Sequence, residues 1–122
     1  AYAFPKAKPL SYSKEVGECL DFVSVHFYPE KGEIDKALKA LAVYDIGKPL
    51  VVEETFPLKC SMAELGVFID RSSNIAEGWI SFYWGKTIEE YCRPDNDLAG
   101  AIMAEWLKYF RAKSPEILMG NR

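Results

Sequence analysis

Three apolar runs open at residues 22, 49 and 78, at intervals of 27 and 29 residues. They lie in the segments FVSVHFYP (residues 22–29), KPLVVEETF (48–56) and GWISFYWGK (78–86). Short apolar runs bounded by Gly, Pro or Lys-Pro read as buried strands. In the second, the aliphatic residues after Pro49 lead straight into two carboxylates, Glu53 and Glu54. A carboxylate at the end of a buried strand is costly unless it has a partner or a task. Each run ends in side chains able to handle a ligand: His26 and Tyr28, then Glu54, then Tyr83 and Trp84. That recurrence suggests one face of a parallel sheet carrying a site.

Between the runs lie helical patterns. Residues 33–45 place Ile34, Ala37, Leu38 and Leu41 at helical spacing, with Gly47 as the expected stop. Ser61 and Glu64 form a capping box for the next helix, whose apolar face is Leu65, Phe68 and Ile69. Asp97 caps a last helix expected to run to about Lys113, with Leu98, Ile102, Trp106 and Phe110 on its buried stripe and Ser114-Pro115 as its end. Residues 13–20 read as a further short helix, residues 5–9 as a surface loop, and residues 85–97 as a polar loop before the last helix. The order β-α-β-α-β-α predicts an α/β chain with a parallel sheet and right-handed crossovers. The strands read as apolar on both faces, as in a sheet covered on each side. The 122 residues form one domain, residues 1–122, with no low-complexity tract.

Composition narrows the function classes. With 15 basic and 18 acidic residues the net charge is −3, and no basic patch points to nucleic acid. No apolar stretch approaches the roughly 18 residues of a membrane span. Cys19, Cys60 and Cys92 are widely spaced and odd in number, which reads as free thiols rather than a disulfide framework. A single histidine and the lack of CxxC or HxxxH spacing argue against structural zinc. The first residues, AYAFP, read as a start that is not the natural one.

Two architectures fit the pattern. An open doubly wound sheet with a nucleotide site wants a Gly-rich phosphate loop, and neither GxGxxG nor GxxxxGK[ST] occurs. The other is part of a (β/α)₈ barrel, whose active face is built from the C-terminal strand ends. A complete barrel takes about 250 residues. This chain would supply three strands and three helices of one.

At these residues the chain resembles the clan-A glycoside hydrolases, closest to the family-5 cellulase and mannanase type, over roughly residues 20–113. HFYP resembles the sixth-strand H-x-Y motif. KPLVVEETF resembles the seventh strand, where Lys-Pro leads an apolar run into the nucleophilic Glu. GWISFYWG resembles the eighth strand with its substrate-stacking Trp. The resemblance implies the last three strands and helices of a TIM barrel, and a retaining β-glycoside hydrolase acting on β-1,4-linked glucan or mannan without metal or cofactor. It implies Glu54 as nucleophile, Tyr28 as the hydroxyl that keeps it ionised, His26 as a contact to sugar or carboxylate, and Trp84 as a stacking platform. Glu53 departs from the small residue commonest before that nucleophile. A retaining enzyme needs a second carboxylic acid about 5–5.5 Å away. In the family it follows Asn as Asn-Glu, a dipeptide this sequence lacks, so it is expected from outside these residues. The implied partners are an oligo- or polysaccharide and either the missing N-terminal barrel half or a second copy. Export to a secreted or periplasmic setting is also implied.

Each residue has a plain structural counterpart. Glu54 reads equally as a salt-bridged strand end, His26 as a satisfied core histidine, and Tyr28 and Trp84 as packing. Trp79 and Trp106 read as core, Tyr83 and Lys86 as rim, and Glu89 and Glu90 as a solvated loop. Adjacent strand residues point to opposite faces, so Glu53 and Glu54 are expected to part, one toward the site and one toward the helix layer. The alternative functions are a non-catalytic carbohydrate-binding or assembly module with unpaired strand edges, or an unrelated barrel enzyme using Glu54 as a general base.

Overall fold

Strand and helix alternate as the spacing predicts. The computed structural model describes residues 14–120, and the loop expected at residues 5–9 lies outside them. In chain order the elements are α1 (Lys14–Glu18), β1 (Val23–His26), α2 (Ile34–Ala42), β2 (Leu50–Thr55), α3 (Met62–Arg71), β3 (Gly78–Ser81), α4 (Ile88–Tyr91) and α5 (Leu98–Gly120). The chain is mixed α/β and divides into two units between Phe82 and Tyr83.

In the first unit β1, β2 and β3 form an open, all-parallel sheet in that order. The pairing extends past the strands where Phe27 N–H donates to the Glu54 carbonyl (2.9 Å) and Phe82 N–H to that of Thr55 (2.8 Å). Alternate side chains on β1, Val23, Val25 and Phe27, are at most 3% exposed and point to the helix layer with Leu50 and Val52. There they meet Ala37 and Leu41 of α2 and Leu65, Phe68 and Ile69 of α3. The Phe27 and Phe68 rings stack with centroids 5.4 Å apart, and Arg71 bridges to Asp35 at 2.7 Å between α3 and α2. Each large apolar side chain buried here contributes roughly 1.5–3 kcal/mol.

Within the first unit, among the described residues, helices cover one face of the sheet and not both as expected. Phe22, Ile80 and Phe82 on the other face remain 55%, 56% and 54% exposed. The cause is the strand order: two right-handed crossovers stepping the same way along a sheet set both helices on one side.

Local signals account for most element ends. Ser61 and Glu64 form the expected capping box, and Glu64 Oε1 also accepts the Gly32 N–H at 2.8 Å. Helix α2 ends at Ala42, well before Gly47; that glycine instead takes φ +80° in the turn leading to β2, a conformation that favours Gly. At Gly17 an added Cβ would meet the tip of the Ile46 side chain, which would have to turn aside.

The second unit departs further from expectation. Residues 85–97 are not all loop, because Thr87 and Glu90 make their own capping box and start α4. Asp97 caps α5 as expected, accepting the Gly100 N–H at 2.8 Å. The helix does not stop at Ser114-Pro115 but continues to Gly120. Pro115 removes its own N–H and crowds the Arg111 carbonyl, yet the helix carries on, and the Lys113–Glu116 ion pair (3.0 Å) spans that turn. Of the expected stripe, Leu98 and Ile102 are 78% and 43% exposed while Trp106 and Phe110 are half-buried; Gly100 and Ala104 take the fully buried positions. No helix among the described residues is long and apolar enough to cross a membrane. Cys19, Cys60 and Cys92 are free thiols.

Candidate functional site

The site begins with a backbone irregularity. Val25 pairs with Val52 and His26 with Glu54, which leaves Glu53 without a partner on β1. On the other side, Val52 to Thr55 faces only Trp79 to Ser81, so β2 carries one residue more than each neighbour. Such a bulge re-aims side chains at a strand end. The expectation that Glu53 and Glu54 part to opposite faces is therefore corrected: both carboxylates reach the same imidazole.

His26 Nε2 lies 3.0 Å from Glu53 Oε1, and His26 Nδ1 lies 3.2 Å from Glu54 Oε2. The Tyr28 hydroxyl donates to Glu54 Oε1 at 2.5 Å. The Ser24 hydroxyl favours the charged form of the Glu53 carboxylate. Ser24, His26 and Tyr28 occupy alternate positions along β1 and its extension, so one face of that strand presents all three. The result is a continuous chain, Glu53–His26–Glu54–Tyr28, at the C-terminal end of the sheet, with Ser24 on the same strand face. The side chains of His26, Glu53 and Glu54 are 27%, 33% and 23% exposed. They are buried enough for these contacts to count and open enough to meet a ligand.

The bond from Ser24 holds the Glu53 carboxyl below the usual carboxylate range; burial opposes this and the His26 contact adds to it. Burial, followed by the bond to Glu54 and the charge of Glu54, pushes the Tyr28 phenol up. The phenol therefore stays protonated and remains a donor. A neutral imidazole has one N–H and an imidazolium two, so a ring protonated on both nitrogens would donate to both carboxylates. Both Glu54 oxygens are engaged, one by phenol and one by imidazole, which fixes the carboxylate plane. An oriented, partly exposed carboxylate can attack an electrophilic carbon or take a proton. Among the described residues no group of three or more His, Cys, Asp or Glu is arranged to hold a metal ion.

Three of the four expected site residues, His26, Tyr28 and Glu54, thus come together. Trp84 belongs to the second unit, three residues past the end of β3, and is fully exposed. Beside it in sequence, the Tyr83 hydroxyl donates to the Lys86 carbonyl (2.7 Å) and lies 2.9 Å from the Tyr91 hydroxyl. Burial and then that tyrosine contact push Tyr83 up to about 12. Glu90 serves the α4 cap and Glu89 faces Arg111 at 3.5 Å. Trp79 is half-buried, with its indole N–H on Ser72 Oγ at 3.1 Å. Sequence reasoning missed Ser24 and Glu53. Alternation along FVSVHFY could have found Ser24, but nothing in the sequence marks the bulge that returns Glu53. No protein-family model, no curated protein and no solved structure matches this chain.

Proposed function

We propose that this chain carries the nucleophile side of a retaining β-glycoside hydrolase site, on the last three strands and helices of a TIM barrel, with β-1,4-linked glucan or mannan as the substrate class. The observation that carries this reading is Glu54 held by the Tyr28 hydroxyl at 2.5 Å, with His26 Nδ1 3.2 Å from its other oxygen, at the C-terminal end of a parallel sheet. In this reaction Glu54 forms a bond to the anomeric carbon as the glycosidic C–O bond breaks, and the leaving oxygen takes a proton from an acid outside these residues. Water then cleaves the glycosyl ester. The Tyr28 hydroxyl donates to the Glu54 carboxylate before attack and again as it leaves. The exposed Trp84 indole suits the C–H face of a pyranose ring.

A 2-deoxy-2-fluoro-β-cellobioside or -mannobioside with a dinitrophenolate leaving group needs no acid catalyst. It is expected to leave a glycosyl ester on Glu54, found by peptide mass mapping and absent in Glu54→Gln. A folded chain that takes no label removes the nucleophile assignment. Turnover of an unactivated oligosaccharide by these 122 residues alone, lost in Glu54→Gln, overturns the assignment of the acid to another segment.

The bare face with Phe22, Ile80 and Phe82 favours a second reading, a non-catalytic carbohydrate-binding or assembly module. Binding by such a module tolerates Glu54→Gln, whereas covalent catalysis does not.

A further inference from the structure

We infer that Glu53 is a positioning residue that acts through His26 on Glu54. This rests on reading Glu54 as the reacting carboxylate. Glu53 is the extra residue of the bulge and has no partner on β1, yet its side chain returns to the site. Its Oε1 lies 3.0 Å from His26 Nε2, and the Ser24 hydroxyl favours its charged form.

An imidazole held at one nitrogen by a carboxylate has its tautomer and ring orientation set from that side. Here Glu53 meets Nε2, so Nδ1 is the nitrogen that faces Glu54 Oε2, at 3.2 Å, and it holds that oxygen only when it carries a proton as well. Ser24 and His26 lie on the same side of β1, two residues apart, so one strand fixes both the ring and the hydroxyl that anchors its partner. Without Glu53, nothing among the described contacts of His26 commits Nε2, and the ring is free to present a different nitrogen to Glu54. Glu53 itself touches neither Tyr28 nor Glu54 in the described hydrogen bonds, so its influence on the reaction runs through the ring.

His26 is the only histidine in the chain, so nitrogen-15 spectra of the imidazole report this site without further assignment. In the wild-type chain Nε2 is expected to be protonated. Glu53→Gln keeps the size and removes the charge. It is expected to lower the Nε2-protonated population and to slow fluoroglycoside labelling of Glu54 by on the order of tenfold, the usual effect of losing a ligand's outer partner. Ser24→Ala is expected to shift the ring signals the same way by less, and it decides the matter if Glu53→Gln does not fold. Ring spectra of the folded variants that match wild type overturn the positioning role, whatever Glu54 does. If wild-type Glu54 takes no label while the ring spectra respond to Glu53→Gln, the nucleophile reading falls and Glu53 still sets the His26 ring.

Discussion

Glu53 and Glu54 are neighbours on one strand, and both present a carboxylate oxygen to the His26 imidazole, at 3.0 and 3.2 Å. Gathering two carboxylates on one ring costs free energy unless donors meet them. Donors surround the pair and offset that cost: Ser24 on Glu53, Tyr28 on Glu54, and the imidazole between them. The site therefore concentrates negative charge where a strand of regular alternation would have split it.

The first prediction concerns acid. The folded-state value of Glu53 lies below the ordinary 4.5, so its contribution is present above that value and is lost as pH falls through the lowered one. Wild type is expected to lose more stability than Glu53→Gln between about pH 5 and about pH 3, with Ser24→Ala in between. Urea unfolding across that range checks it; parallel curves for wild type and Glu53→Gln would remove the bond network from the account.

The alkaline side has the opposite sign. Tyr28 is raised above its ordinary 10.0, so its contribution is fully present below that value and is lost as pH rises through the raised one. Wild type is expected to weaken more steeply than Tyr28→Phe from about pH 10 upward. At neutral pH, Tyr28→Phe removes a hydrogen bond to a charged group and is expected to cost about 1.5 kcal/mol, read from the denaturant midpoint.

Thr55 is fully buried, and its hydroxyl has no hydrogen-bond partner among the described residues. A buried polar group left unmatched costs about 1–3 kcal/mol. Thr55→Val is therefore expected to raise stability, by roughly 1 kcal/mol once imperfect fit is allowed for. A drop in melting temperature would mean that the hydroxyl has a partner the described contacts do not include.

Phe68 is the largest fully buried side chain and stacks on Phe27. Phe68→Ala is expected to cost about 3–5 kcal/mol, against a typical total of about 5–15 kcal/mol for a whole domain. Cooperative unfolding should weaken severely or vanish. A loss under about 1 kcal/mol would contradict the packing of α3 on β1.

Much of this was legible because parallel β/α packing writes itself into local periodicity. FVSVHFYP and KPLVVEETF give strands, Ser61 with Glu64 gives a helix start, and Asp97 gives another. His26, Tyr28 and Glu54 were found because each stands at the end of such a run. What stayed hidden depends on relations between segments. The place of Glu53 depends on how β2 pairs with both neighbours, which no single strand encodes. The bare sheet face follows from the direction of the crossovers, not from composition. Thr87 to Glu90 did carry a helix signal, masked by the polar residues around it. Pro115 carried a stop signal that the helix overrides.

The bulge has a bearing on how this strand tolerates change in length. Val52 and Thr55 are both fully buried although three positions apart, because the added residue lies on the open side and the inward rhythm then resumes. A chain shortened by one glutamate at this point would return β2 to plain alternation with the same residues facing the helices. One codon thus decides whether the strand offers one acidic group or two, and the hydrophobic layer beneath is indifferent to the choice.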